Sequence, residues 1–240
     1  MTPPAPLIEI AGLSKDYHGL RPLRIESLTL AEGEHMAVLG LDGPMAETFI
    51  NLVTGATLPD RGVVTIFGRT TASIDDGDQW LALVDRFGIV SERAVLLDAL
   101  SVIQNLSIPF TLEIEPPPDD VRAQAEALAR EAGLDPQGWS RPVGELDAAA
   151  RLRIRVGKAL ALGPMVLLLE HASATLPPAL IGPVGAHIRQ MASQRRCALL
   201  AATVDQEFAA AVAPRVLTLE PATGRLTGRR GGWRERLFGA

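Results

Sequence analysis

Short apolar runs alternate along this chain with stretches of helical periodicity. Residues 7–10 and 25–30 read as strands, and residues 36–40 form an apolar run that stops at a glycine. A polar turn over 40–44 leads into a helical pattern carrying Phe49, Ile50, Leu52 and Val53. Residues 63–67 lie between turn signals and read as a strand, 80–87 as a helix and 88–91 as a brief strand. The clearest helix covers 146–162. Leu152, Val156 and Leu160 fall four apart on one face, and Gly163 with Pro164 ends it. The continuous apolar run 165–169, closed by Glu170, suits a central parallel strand buried on both faces. A helix at about 178–193 precedes a strand at 197–202, and a helix near 205–213 precedes a strand at 215–219.

The stretch 95–142 differs. Its periodicity is helical, but Pro116, Pro117 and Pro118 split it. Asp119 and Asp120 then open a charged helix running to about Ala132, with acids in the first turn as the helix dipole favours. This reads as a helical insertion within one domain covering 1–240, whose last residues, 228–240, read as a flexible basic tail. Helix following strand, with strands this apolar, predicts an α/β fold with a parallel sheet covered on both faces. Ligands of such sheets sit at the carboxyl ends of the strands, where residues 40–48 and the pair Glu170 and His171 fall.

Composition narrows the classes. Apolar residues make up 47% of the 240, ample for a core, and aromatics only 4%, so that core is aliphatic. A formal net charge of -5 gives no electrostatic case for nucleic-acid binding. The single cysteine, Cys197, lies in an apolar run, permits no intrachain disulfide and fits a reducing cytosol as a buried strand residue. Residues 1–6 lack the basic start and apolar core of a signal peptide. No window approaches the roughly 18 uncharged apolar residues of a membrane span, so contact with a membrane is expected only through a partner.

Ordered motifs carry a family resemblance. Tyr17 lies in LSKDYH (13–18), and VLGLDGPMAET (38–48) sits between a strand and a helix. LVTG (52–55), PDRG (59–62), IVSE (89–92), GELDAAA (144–150), LLLEHASATL (167–176) and ATVD (202–205) follow. Their order and spacing resemble the ATP-binding cassette family, the nucleotide-binding subunits of ABC transporters, over roughly 7–227. The resemblance implies a P-loop NTPase-like core with a mixed, mainly parallel sheet, an N-terminal antiparallel β portion and a helical insertion. It also implies ATP with magnesium as cofactor, a dimer of cassettes with itself or another chain, and a cytoplasmic place on a membrane permease.

Residue by residue, the resemblance places Tyr17 where an aromatic stacks on adenine. Gly40, Gly43, Ala46, Glu47 and Thr48 fall in the phosphate loop, and Asp147, Ala148 and Ala149 in the signature segment. Glu92 falls at the Q-loop, Glu170 at the metal-side acid, His171 at the catalytic glutamate and Val204 at the switch histidine. The departures are extensive. A phosphate loop needs glycines to wrap phosphate, a lysine to neutralise it and a hydroxyl to hold magnesium. Here Met45 replaces the second glycine, Ala46 the lysine and Glu47 the hydroxyl residue, while Pro44 removes an amide donor and Asp42 adds a negative charge. No metal ligand is assigned, though the resemblance puts Glu47 and Glu170 at the family's metal-side positions; a histidine at 171 could act as a base, since an unperturbed imidazole titrates near neutrality, or could simply fill an unused position. Val204 can neither donate nor accept a hydrogen bond. At the signature, Asp147 is a good N-cap and the alanines are good helix formers, which keeps a structural role.

Nucleotide binding is therefore expected to be weak or absent, and the chain to be a pseudo-ATPase that serves a permease as structural or regulatory partner. Two alternatives remain: an active transport subunit working through Glu170 and His171, and a soluble regulator that uses the cassette to bind a partner. The resemblance places permease docking at 93–110, where Leu96, Leu97, Leu100, Val102 and Ile103 are apolar. In the tail, Arg229, Arg230, Arg234 and Arg236 beside Trp233, Leu237 and Phe238 read as a solvated end or as a surface for a membrane or acidic partner.

Overall fold

The computed structural model describes residues 6–228. The flexible-tail expectation falls, apart from Gly228, outside the described residues. Two sheets form the framework. Strands β1 (Pro6–Lys15), β2 (Leu23–Ala31), β4 (Arg61–Ile66) and β5 (Arg69–Thr70) make an antiparallel sheet in the order β2-β1-β4-β5. The second sheet has the order β10-β9-β3-β8-β7-β6, from β3 (His35–Leu39), β6 (Phe87–Val90), β7 (Val166–Glu170), β8 (Ala198–Thr203), β9 (Arg215–Glu220) and β10 (Arg225–Gly228). All its neighbours run parallel except β10 with β9.

The helices are α1 (Gly43–Val53), α2 (Gly77–Val84), α3 (Val102–Ser107), α4 (Asp119–Glu131), α5 (Ala148–Leu160), α6 (Pro178–Gln194) and α7 (Gln206–Val212). Local sequence explains several of their starts. Ser101 and Gln104 form a reciprocal capping box at α3, and Asp119 and Asp120 lie in the first turn of α4 with Arg130 in its last. Asp147 caps α5 by accepting from the Ala150 amide at 2.8 Å.

The central strands are buried on both faces because side chains alternate with a period of two. On one face, Ala37, Leu167, Leu169, Leu199 and Ala201 join a core built with α3 to α7. On the other, Met36, Val38, Val166, Leu168, Ala198, Leu200 and Ala202 meet α1 and the antiparallel sheet. The core is aliphatic, with Phe49 and Phe208 its largest fully buried side chains. Cys197 is buried just ahead of β8, and burial pushes its thiol up to about 11. Where β4 crosses β1, Gly62 (φ 83°) has no room for a side chain: a Cβ would lie 2.4 Å from the Gly12 backbone.

The framework matches the expected elements, with shifted ends. β1 continues five residues past Ile10 to Lys15, across an irregularity between Ala11 and Ser14 that interrupts the apolar alternation. The strand expected at 63–67 ends at Ile66, because Phe67 turns with φ 49°. β5 and β10 were not anticipated, being short and mostly exposed.

Candidate functional site

The carboxyl ends of β3, β7 and β8 converge, and the segment between β3 and α1 determines what they can hold. Gly40 donates its amide to Thr203 O at 3.2 Å and has φ 92°, a conformation that glycine tolerates. Leu41 then anchors the turn in the core. Asp42 is the N-cap of α1. Its carboxylate accepts the Met45 amide at 2.9 Å and its carbonyl accepts the Ala46 amide at 2.7 Å. Pro44 has no amide hydrogen, so among the described residues only Gly43 keeps a free amide at positions 43–46. A helix N-terminus attracts an anion, and here the chain supplies its own.

The rest of this first stretch of α1 is committed too. Ala46 is fully buried, on the face that carries Phe49 and Ile50 into the core. Thr48 turns its hydroxyl back to Pro44 O at 2.8 Å. Gly43 lies at the first helical position with open space where a Cβ would be. Tyr17 is partly buried in a cleft of about 260 Å³ whose walls include Leu23, Asp42, Met45, Leu219 and Pro221. Burial and then the Asp42 carboxylate hold its phenol above the usual range.

Glu47 points out of α1 towards a residue that the motifs did not single out for the site. Arg93 Nη1 donates to Glu47 Oε1 at 2.7 Å, and its Nη2 donates to Glu170 Oε2 at 2.5 Å. Glu170 ends β7 with its side chain only 12% exposed, whereas Arg93 and Glu47 are about half exposed. One guanidinium therefore bridges the two carboxylates that the resemblance puts at metal-side positions. Glu92, one residue before, turns the other way. It accepts both Nη1 and Nη2 of Arg155 on α5, at 2.9 and 3.0 Å. Arg155 Nε also reaches Ala94 O at 3.4 Å, and Lys158 Nζ donates to Val95 O at 3.2 Å. Burial lowers the Lys158 pKa.

His171 follows Glu170 with φ 45°, its amide donating to Ala202 O at 3.0 Å. Its ring Nε2 is buried and has no partner among the described residues. Val204 is exposed. Beside it, Asp205 caps α7 through the Phe208 amide and accepts the Ser173 hydroxyl at 2.9 Å. The structure thus gathers Glu47, Glu170 and His171 around the strand ends. Asp147, Ala148 and Ala149 are elsewhere, at the start of α5. Among the described residues, that start makes no hydrogen bond or ion pair to α1 or β7. Ala149 is buried in the core.

Comparison with known proteins bears on the family and the fold. The family pattern described as ABC transporter matches residues 23–174, more than half of the chain. The chain belongs to the ABC transporter family. This cassette is 27% identical over 216 residues to the methionine import ATP-binding protein MetN of Brucella abortus, covering 90% of the chain and 58% of that protein. It is 29% identical over 212 residues to the lipoprotein-releasing system ATP-binding protein LolD of Chromohalobacter salexigens, covering 85% and 87%. Among solved structures it superposes on CbiO1 of Clostridium perfringens, part of the transporter complex CbiONQ, with a TM-score of 0.76 at 20% identity, covering 92% and 87%. It also superposes on an ATP-binding cassette dimer in a post-hydrolysis state bound to ADP and phosphate, with a TM-score of 0.74 at 19% identity, covering 94% and 100%. The cassette thus spans little more than half the length of MetN. Its antiparallel sheet, mainly parallel sheet and intervening helices are those of an ABC ATPase fold.

Proposed function

We propose that this chain is a cassette subunit of a membrane transporter that neither binds nor hydrolyses ATP usefully, and that it acts as structural or regulatory partner of a permease. The observation that carries this reading is the self-capped start of α1, where the Asp42 carboxylate takes the Met45 amide that an anion would need. Magnesium and a triphosphate do not fit the residues here. Ala46 is buried and offers no cation, and the Thr48 hydroxyl is spent on Pro44. The carboxylates of Glu47 and Glu170 are already joined by Arg93. One lysine–phosphate pair at 4 Å is worth about 4 kcal/mol at an effective dielectric near 20, or on the order of a thousandfold in affinity. Asp42 adds repulsion to that loss. Among the described residues, Arg93 is the one cation bonded to this carboxylate pair, and one positive charge shared by two carboxylates leaves them net negative.

The buried ring Nε2 of His171 has no hydrogen-bond partner among the described residues, so no neighbouring group orients the imidazole as a general base. Docking on a permease through 93–110 is supported by Val95 and Leu97, which are exposed apolar side chains. Leu96, Val102 and Ile103 are core instead. Among the described residues no helix is long and apolar enough to cross a membrane. Attachment to the cytoplasmic face through the permease is part of the same proposal. Pairing with a second cassette, its own copy or another chain, belongs to the same reading.

Phosphate release by the assembled transporter tests this. Wild type and His171→Ala in this chain are expected to release phosphate at the same rate, with all activity traced to any partner cassette. Release by the purified chain above background, abolished by His171→Ala, would establish an active subunit instead.

A further inference from the structure

We propose that Arg93 is a built-in cation: it closes the Glu47 and Glu170 carboxylate pair against metal ions and pins the loop after β6 to α1 and β7. The inference deepens the pseudo-ATPase reading and rests on it, in taking these carboxylates as no longer serving a magnesium–nucleotide complex. Glu47 and Glu170 lie 123 positions apart in sequence and on different elements, yet each accepts a different nitrogen of one guanidinium, at 2.7 and 2.5 Å. Two oxygen ligands converging on one positive centre are what a hard divalent ion recruits. A guanidinium meets the same need with a planar fork whose charge does not titrate away near neutral pH.

Glu170 makes the arrangement more than a surface ion pair. Its side chain is only 12% exposed, and among the described residues Arg93 is the sole cation paired with it or with Glu47. Without Arg93 a nearly buried carboxylate would face a second carboxylate with no counter-charge. Such a pair recruits a cation from solution or takes up a proton.

The same contact has a mechanical consequence. Arg93 ties the loop to α1 and β7, and the preceding Glu92 ties it to α5 through both Arg155 nitrogens. Adjacent residues are thus tied to different elements by two arginines and three carboxylates. Val95 and Leu97 lie just beyond this double clamp and are exposed. Lys158 Nζ donates to Val95 O and the Asn105 side-chain amide bonds both the amide and the carbonyl of Leu97, so the protein's own side chains hold these residues with no bound cofactor required.

Manganese binding to the full-length chain without nucleotide tests the proposal, read from the loss of the free Mn²⁺ electron paramagnetic resonance signal. Arg93→Ala is expected to bind one Mn²⁺ at least about tenfold more tightly than wild type, since a unit positive charge within contact distance has been removed. Adding Glu170→Gln to that variant should return the affinity to the wild-type level. Hydrogen exchange at residues 92–96 should quicken in Arg93→Ala and stay fast when Mn²⁺ is added, because the metal would join α1 to β7 without reaching the loop. Arg93→Gln, which keeps much of the side-chain volume, should show the same gain and covers any misfolding of the alanine variant. Affinities within twofold of wild type in folded Arg93→Ala or Arg93→Gln would overturn the proposal, as would equally tight Mn²⁺ binding by wild type. Tight magnesium–ATP binding by wild type would overturn the pseudo-ATPase reading instead.

Discussion

Restoring the family's lysine at position 46 should damage this protein rather than repair it. Ala46 is fully buried and shares a helix face with Phe49, Ile50 and Val53, all in contact with the core. A lysine there adds three carbons and a nitrogen beyond Cβ to a close-packed interior, for which overpacking alone costs about 1–3 kcal/mol. Its ammonium would also be drawn into an apolar setting, at a further cost of several kcal/mol unless it deprotonates. The total is about 4 kcal/mol, a large part of the 5–15 kcal/mol that a domain typically has. With a urea dependence near 3 kcal/mol/M, the unfolding midpoint of Ala46→Lys should fall by about 1 M or more. Urea melts followed by circular dichroism, run beside an ATP titration, measure both consequences. An unchanged midpoint together with tighter ATP binding would refute the reasoning, because position 46 would then face a phosphate site and not the core.

Two further outcomes follow from titrating groups. Tyr17 is the only tyrosine, so phenolate absorbance reads it directly; its pKa should lie above 10.0 and fall in Asp42→Asn without returning fully, because burial is the larger cause. No change on that substitution would separate Asp42 from the cleft. Cys197, held up to about 11 from 9.0, should resist thiol reagents in the folded protein near neutral pH and react on unfolding. Its folded pKa is raised, so its contribution is intact below about 9 and lost as pH climbs towards about 11. That loss is on the order of 2–3 kcal/mol and should be missing in Cys197→Ala.

Much of the framework was legible because its signals are local. The runs at β3, β7 and β8 are apolar on both faces, and the fourfold spacing of Leu152, Val156 and Leu160 marks one side of α5. Asp147 could be read as a cap from its place before a run of alanines, and it caps α5. Asp42 was legible only as a charge. Its part in α1 depended on where the helix begins, and Pro44 at the second helical position starts it at Gly43. β5 and β10 escaped because a two-residue strand and a four-residue exposed strand have little alternation to detect. Arg93 escaped as a site residue for a different reason. Its partners lie 46 and 77 positions away, and no spacing rule connects them. Glu92 matched the Q-loop by position, but its pairing with Arg155 across 63 residues required the fold.

Equilibrium binding of ATP to the purified chain, with and without magnesium, tests the central claim most directly. The self-capped helix and the bridged carboxylates predict a dissociation constant weaker than about 1 mM in both conditions, less than about 4 kcal/mol of binding free energy. Micromolar binding that requires magnesium, with the amides of residues 40–48 protected from exchange, would contradict it.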